Sequence, residues 1–380
     1  MAKKTLLTID GAYRKVKKGF VTIDGTYRNI PKAFITIGGV YRPCWGGGEL
    51  NYYGRASVLN NNVAHLSATT VGNYAVFSGG YNYATDGDVL PMQAYNASLV
   101  KSVVSSEWDL SDAAATTVGD YAIFGGGWYR SIAWDSSDSL ISSSYTLALN
   151  SSLTWKNSSN LSTGRYYLAA TTVGNYALFG GGNSTLSYGA TDIVDAYDTS
   201  LTKSTPTKLS RARYILSATT VGNYAIFGGG LNKSGAGIEA TDAYDKSLVR
   251  TIPPVQICCS HGSATTVGTY AVFAGSFGDQ IVDVYDSSLT KTARLKLSVS
   301  RNYTAATTIG DYALFGGGGT SPYYNTVDAF DDSLTRTAPT VLSLARGYLA
   351  ASTVGNYALF AGGASSNSAS TNRVDAYTIV

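Results

Sequence analysis

Apolar and polar positions recur along this chain as one phrase repeated seven times. A short apolar and Thr-containing run is followed by a Gly-led pair, then an aromatic-rich run, then glycines. The first copy is Ala68-Thr69-Thr70-Val71-Gly72-Asn73-Tyr74-Ala75-Val76-Phe77, and the others start at Ala115, Ala170, Ala218, Ala264, Ala306 and Ala351. Each copy predicts the start of a four-stranded unit. Strand a is the Ala-Thr-Thr-Val run. Gly followed by Asn, Asp or Thr makes a two-residue hairpin turn, because a positive φ costs Gly nothing. Strand b is Tyr-Ala-(Val/Ile/Leu)-Phe, and the glycines that end it leave room for a neighbour to approach. Strand c reads like Val194-Asp195-Ala196-Tyr197. A turn of the type Asp198-Thr199-Ser200-Leu201, capped by side-chain hydrogen bonds, leads to strand d, for example Lys203 to Leu209.

The second position of the phrase falls at Thr69, Thr116, Thr171, Thr219, Thr265, Thr307 and Ser352, with spacings of 47, 55, 48, 46, 42 and 45 residues. That is the length of a propeller blade, and units that cannot bury both faces alone must stack. The last copy stops after strand c, at Val374-Asp375-Ala376-Tyr377. Leu50 to Thr69 aligns with Leu334 to Ser352, so residues near 50–60 supply the missing strand d and close the ring. Closure removes exposed strand edges. The predicted fold class is therefore all-β, a seven-bladed β-propeller of four-stranded blades over residues 50–380.

Residues 5–45 carry a shorter repeat of period 14: Thr8-Ile9-Asp10-Gly11-Ala12-Tyr13-Arg14, Thr22-Ile23-Asp24-Gly25-Thr26-Tyr27-Arg28 and Thr36-Ile37-Gly38-Gly39-Val40-Tyr41-Arg42. Asp-Gly and Gly-Gly between β-prone runs predict hairpins. Residues 1–45 read as a β-hairpin arm too small to bury a core alone, and 46–49 as a Gly-rich hinge.

Two resemblances attach to these residues. The glycines after strand b, the aromatic in strand c and an Arg six residues before the repeat Thr (Arg165, Arg213, Arg301 and Arg346) make residues 50–380 similar to kelch-type propellers. The usual Trp of the later strand is missing, with Trp155 the one candidate. The hairpins, with basic links such as Lys15-Val16-Lys17-Lys18, resemble arms of tail-associated and prophage proteins of phages of Gram-positive bacteria. That resemblance implies attachment within a virion, with Arg14, Lys17, Lys18, Arg28 and Arg42 facing other virion proteins.

Charge sharpens the division. Residues 1–45 hold nine Lys and Arg against Asp10 and Asp24, whereas the whole chain has a net charge of +3. A basic arm fits an acidic protein surface or nucleic acid, or is a solvated face; protein contact is preferred here and nucleic acid is not. Charged residues make up only 14% of the chain, so surface polarity rests on Ser, Thr, Asn and 29 Tyr. Three cysteines, two of them adjacent at Cys258-Cys259, form no disulfide framework and suit a reducing compartment. Met1 to Thr8 does not read as a secretory signal, and no stretch approaches a membrane span of roughly 20 apolar residues. The expected location is the virion, made in the bacterial cytoplasm and released by lysis.

The inventory of reactive side chains disfavours an enzyme. There are two His, His65 and His261, and three Glu, while the Asp at strand-c positions recur from blade to blade as structural residues do. No metal or cofactor is expected. Four residues before each repeat position stand His65, Asp112, Tyr167, Ile215, His261, Tyr303 and Tyr348. Equivalent positions in a closed ring face one central mouth, either plugged by satisfied polar groups or open to a ligand or ion. The non-repeating loops after strand b carry Tyr81, Tyr83, Trp128, Tyr129, Trp134, Tyr188, Tyr323 and Tyr324 amid Ser, Asn and Gly. That mixture suits binding, including stacking on sugar rings, unless the rings fold back over the blades. The expected role is adhesion to a bacterial surface glycan or protein by a virion component, with a homo-oligomer as one form of its assembly. Head decoration and a glycan-processing enzyme stand as alternatives.

Overall fold

The computed structural model describes residues 5–380 apart from 10–11, 17–19, 24–25, 30–32, 38–39, 46–47, 89–91, 106–109, 132–138, 186–188, 255–256, 258–261 and 277; strands before residue 46 are described by backbone pairing alone. The chain divides into two compact units, Met1–Leu50 with Ile379–Val380, and Asn51–Thr378.

In the first unit three antiparallel hairpins follow one another: Thr5–Ile9 with Ala12–Val16, Phe20–Ile23 with Thr26–Asn29, and Ala33–Ile37 with Val40–Trp45. Ile9 pairs with Ala12, Ile23 with Thr26 and Ile37 with Val40, so each connection is the two-residue Asp-Gly or Gly-Gly pair. Arg14, Arg28 and Arg42 hold equivalent places on the return strands, opposite Leu7, Val21 and Ile35. Lys17 and Lys18 lie outside the described residues. Glu49 and Val380 exchange two backbone hydrogen bonds of 3.0 Å. A methyl group on Gly48 would stand 2.1 Å from Ile379. Residues 48 and 49, expected in a hinge, are thus held by pairing and close packing; Gly46 and Gly47 lie outside the described residues.

The second unit is a seven-bladed β-propeller of four-stranded antiparallel sheets. Blade 3 is typical: strand a is Ala169–Val173, b is Tyr176–Gly180, c is Val194–Asp198 and d is Lys203–Ser204. In blade 7 strands Ala350–Val354, Tyr357–Ala361 and Val374–Ile379 are completed on the outside by Leu50–Arg55. The ring therefore closes with an N-terminal strand. The seven glycines that lead the a–b turns have φ between 53° and 56°, a conformation a Cβ resists. Among the described residues there is no helix long and apolar enough to cross a membrane.

Strand d is shorter than the sequence pattern predicts. In blades 2, 3, 4 and 6 it spans two residues, at Trp155–Lys156, Lys203–Ser204, Arg250–Thr251 and Arg336–Thr337. Pro206, Pro253 and Pro339 follow within two residues and cannot donate to the ladder. Blade 5 lacks such a proline, and its strand d runs the six residues Lys291–Lys296; blade 2 lacks one too and its strand d is still short, so proline accounts for blades 3, 4 and 6 only.

Packing between blades explains the repeated aromatic and glycine positions. Phe179 meets Tyr197 edge-on at 5.8 Å, and Phe227 with Tyr244, Phe315 with Phe330 and Phe360 with Tyr377 do the same at 5.8–6.0 Å. Each such pair contributes about 0.5–1.5 kcal/mol beyond its buried area. A methyl on Gly180 would stand 2.8 Å from the Phe227 ring of the next blade, and one on Gly316 2.6 Å from Phe360. The glycine ending one strand b is the socket for its neighbour's phenylalanine.

Four blades also bury an ion pair. Arg165, Arg213, Arg301 and Arg346 lie 2.8–2.9 Å from Asp195, Asp242, Asp328 and Asp375, with every side chain fully buried. Each guanidinium also donates to the carbonyl of the strand-b Phe. Each carboxylate accepts a backbone N–H, from Ser162, Ser210, Ser298 or Ser343. Burial pulls the Arg pKa values down and the facing carboxylates push them back up. Blades 1 and 2 replace both members together, with Val63 and Gln93, and with Leu110 and Leu147. Blade 5 keeps Asp283 opposite Cys259 in sequence, and there Lys291 pairs with the carboxylate at 2.7 Å; Cys259 lies outside the described residues.

Candidate functional face of the propeller

Strand a runs along the axis of each blade ring, and its two ends differ. Towards the a–b turns the wall is hydroxyl-lined. The second-place Thr of each blade hydrogen-bonds the third-place Thr of the next, from Thr69 with Thr117 at 3.0 Å through Thr219 with Thr266 at 2.9 Å to Thr70 with Ser352 at 2.9 Å. Third-place hydroxyls also donate to the preceding blade's third-place carbonyl, as Thr353 does to Thr308 and Thr70 to Thr353, each at 2.7 Å. The lumen they enclose is about 630 Å³.

The opposite end is the central mouth. His65, Asp112, Tyr167, Ile215, Tyr303 and Tyr348 do gather there, around a cavity of about 180 Å³; His261 lies outside the described residues. All six have left-handed φ, from 50° to 60°, a conformation that bulky and β-branched side chains rarely adopt. What holds them is a belt of backbone bonds. Tyr348 donates to Tyr303, His65 to Tyr348, Asp112 to His65, Tyr167 to Asp112 and Ile215 to Tyr167, at 2.8–3.3 Å. The left-handed turn aims each N–H at the carbonyl of the blade before it.

Side chains at this mouth are tied as well. Asp112 accepts from His65 Nδ1 at 2.8 Å and from Trp128 Nε1 at 2.8 Å. His65 Nε2 lies 2.7 Å from the Tyr83 hydroxyl, so the neutral tautomer protonated at Nδ1 satisfies both contacts. His65 stacks on Tyr348 at 4.3 Å, and Tyr348 lies 4.1 Å from Tyr303. Asp112 governs the neighbouring phenols. Its charge, then burial, raises the Tyr167 pKa well above the usual value. Burial, then Asp112, pushes Tyr83 up to about 12. Asp112, His65 and Tyr83 thus form a carboxylate–imidazole–phenol chain. Among the described residues no three His, Cys, Asp or Glu gather as a metal site would require.

Because strands alternate in direction, the loops after strand b sit at the same end as this mouth. The aromatic residues expected there divide sharply. Tyr81 and Trp128 are buried, at 5% and 9% exposure. Tyr81 lies 5.6 Å from Trp128 and 5.4 Å from Tyr83, and it bonds Asp86. These three rings therefore fold inward over blades 1 and 2 and join the mouth. Tyr129, Tyr323 and Tyr324 stay half-buried, with the Tyr323 hydroxyl 3.1 Å from Asn367 of the next loop. Trp134 and Tyr188 lie outside the described residues.

Sequence reasoning missed a groove of about 470 Å³ over blades 3 and 4, lined by Tyr166, Tyr214, Asn183, Ser184, Thr185, Gly189, Ala190 and Lys233. Tyr166 and Tyr214 stand five residues before the repeat Thr. That position holds Ala64, Ser111, Asn302 or Gly347 in other described blades. The departure from small or amide residues was the available signal. Asn183 Nδ2 donates to the Tyr166 hydroxyl at 3.0 Å, and the two backbones bridge each other. Thr185 and Ser142 hydroxyls meet at 2.9 Å across to blade 2. The floor is thus built before any ligand arrives. No protein-family model and no curated protein matches the chain.

Proposed function

We propose that this chain is a non-enzymatic adhesin of a virion: the hairpin arm of residues 1–45 anchors it to other particle proteins, most simply in the tail. Its kelch-like propeller then binds a bacterial surface glycan or protein through the face that carries the b–c loops. The observation that carries this reading is the convergence on one face of non-repeating Tyr, Asn, Ser and Thr residues around a preformed groove. Ligand sites of about 300–1,000 Å³ combine such concavity with a few polar groups, and Tyr offers broad contact at low entropy cost. The non-enzymatic assignment rests on the inventory of two His and three Glu.

Binding of fluorescent full-length protein to a panel of bacteria, followed by flow cytometry, tests the reading. A subset of strains is expected to bind, with purified cell-wall polysaccharide competing. Tyr323→Ala together with Tyr214→Ala should lower that binding at least tenfold while the melting temperature stays put. Equal binding by the double variant would remove the loop face as the adhesive surface.

A further inference from the structure

We infer that the groove over blades 3 and 4 is a subsite for an acidic saccharide, one whose carboxylate or phosphate pairs with Lys233. The inference rests on the loop face being the binding face. Lys233 is the one charged residue in the groove lining, and it makes no ion pair or hydrogen bond within the described residues. Lys233 is exposed, and its stem passes close to Gly189 of the neighbouring blade, where an added methyl would stand 3.0 Å from its Cγ. With no carboxylate among the described residues of the groove lining, this ammonium is open to an anion from outside. Charge-assisted hydrogen bonds of that kind are about twice as strong as neutral ones.

The rest of the lining suits a sugar ring. Tyr166 and Tyr214 are half-buried, leaving part of each ring at the surface. The Tyr214 hydroxyl is engaged by no group among the described residues. Only one amide atom of Asn183 is used internally, by Tyr166. A free amide atom, a free hydroxyl and an ammonium around two aromatic rings are a donor and acceptor set for a pyranose with one acidic substituent. Elsewhere on this face, Tyr81 and Trp128 are buried, and the central mouth has polar groups bonded to one another.

The test is a titration of purified full-length protein with cellobiose, cellobiouronic acid and cellobiose 6-phosphate, read by protein-observed NMR. At least one acidic probe is expected to bind tenfold or more tightly than cellobiose. Lys233→Gln should bring that ratio close to one while leaving the neutral affinity unchanged, and Tyr214→Ala should weaken all three. Preference for the uronate identifies a carboxylate ligand, and preference for the phosphate a phosphorylated one. Equal binding of the three probes, no binding of any, or a preference that survives Lys233→Gln would each overturn the assignment. None of those outcomes touches cell adhesion, which is read separately on bacteria.

Discussion

The two ends of the propeller axis are built from the same strands by opposite rules. At the a–b turn end every blade contributes a Thr pair, with a single Ser352 as exception, and each hydroxyl is bonded to a neighbouring blade. At the mouth the backbone belt is equally regular, yet its side chains are His, Asp, Tyr, Ile, Tyr and Tyr. Uniform positions are those where the ring itself sets the requirement. Non-uniform side chains on a uniform backbone are positions the fold has released for something else. The buried Arg–Asp pairs belong to the first kind, even where blades 1 and 2 omit them, because both members change together.

The largest effect should come from breaking that correlation. Arg213→Leu leaves the Asp242 carboxylate buried in blade 4 without its 2.9 Å partner. Breaking a buried pair from one side costs about 3–5 kcal/mol, whereas removing both members is far milder. Urea denaturation should therefore show Arg213→Leu as severely destabilised. The double variant Arg213→Leu, Asp242→Leu, which copies the Leu110 and Leu147 arrangement of blade 2, should recover more than half of the loss. A double variant as unstable as the single would mean that blade 4 needs the charges themselves.

A middling effect is expected at the mouth. Asp112→Asn keeps one acceptor for the two donors from His65 and Trp128, and a buried donor without a partner costs about 1–3 kcal/mol. It also removes the charge that raises Tyr167 and contributes to raising Tyr83. Both phenols should then ionise at lower pH, seen as an earlier rise in phenolate absorbance. The sign for stability follows from linkage. Tyr83 ionises at about 12 in the fold against 10.0 ordinarily, so its contribution is complete below pH 10 and is lost as pH rises through 12. Wild-type stability should fall across that window, and the variant should fall less steeply. An unchanged phenolate titration would show that Asp112 does not govern this cluster.

Most of the ring could be read from the chain because its requirements recur. The match of Leu50 to Thr69 with Leu334 to Ser352 revealed the closing strand, and positions four before the repeat Thr located the mouth. What escaped depended on contacts that do not recur or that span a blade. Arg165 and Asp195 are 30 residues apart and were each noticed separately; only the paired loss in blades 1 and 2 links them within one sequence. The bond from Tyr83 to His65 joins a unique loop to a repeated position, so no periodicity announces it. Tyr166 and Tyr214 precede strand a rather than lying in the variable loops after strand b, so loop variability does not mark them. The short d strands of blades 3, 4 and 6 end just before prolines visible in the sequence, Pro206, Pro253 and Pro339, whereas the one in blade 2 ends with no such signal.

The smallest effect should lie at the regular end. In Thr266→Val the hydroxyl that bonds Thr219 and donates to the Thr220 carbonyl is gone, and a methyl of similar size takes its place. These groups face a lumen of about 630 Å³, open enough for solvent to take up the abandoned partners. The loss should then be a single ordinary hydrogen bond, about 0.5–1.5 kcal/mol, with ligand binding at the loop face unchanged. Regularity in a ring spreads its stabilisation over seven equivalent contacts, so no one of them is critical. Chemical denaturation of Thr266→Val, and then of Thr266→Val with Thr172→Val, checks this by additivity, since the two hydroxyls bond different groups and their losses should sum to within about 0.5 kcal/mol. A first substitution that makes the second much more damaging would instead show the hydroxyl belt acting as one cooperative unit. The two ends of the axis would then differ in chemistry but not in how tightly their members are coupled.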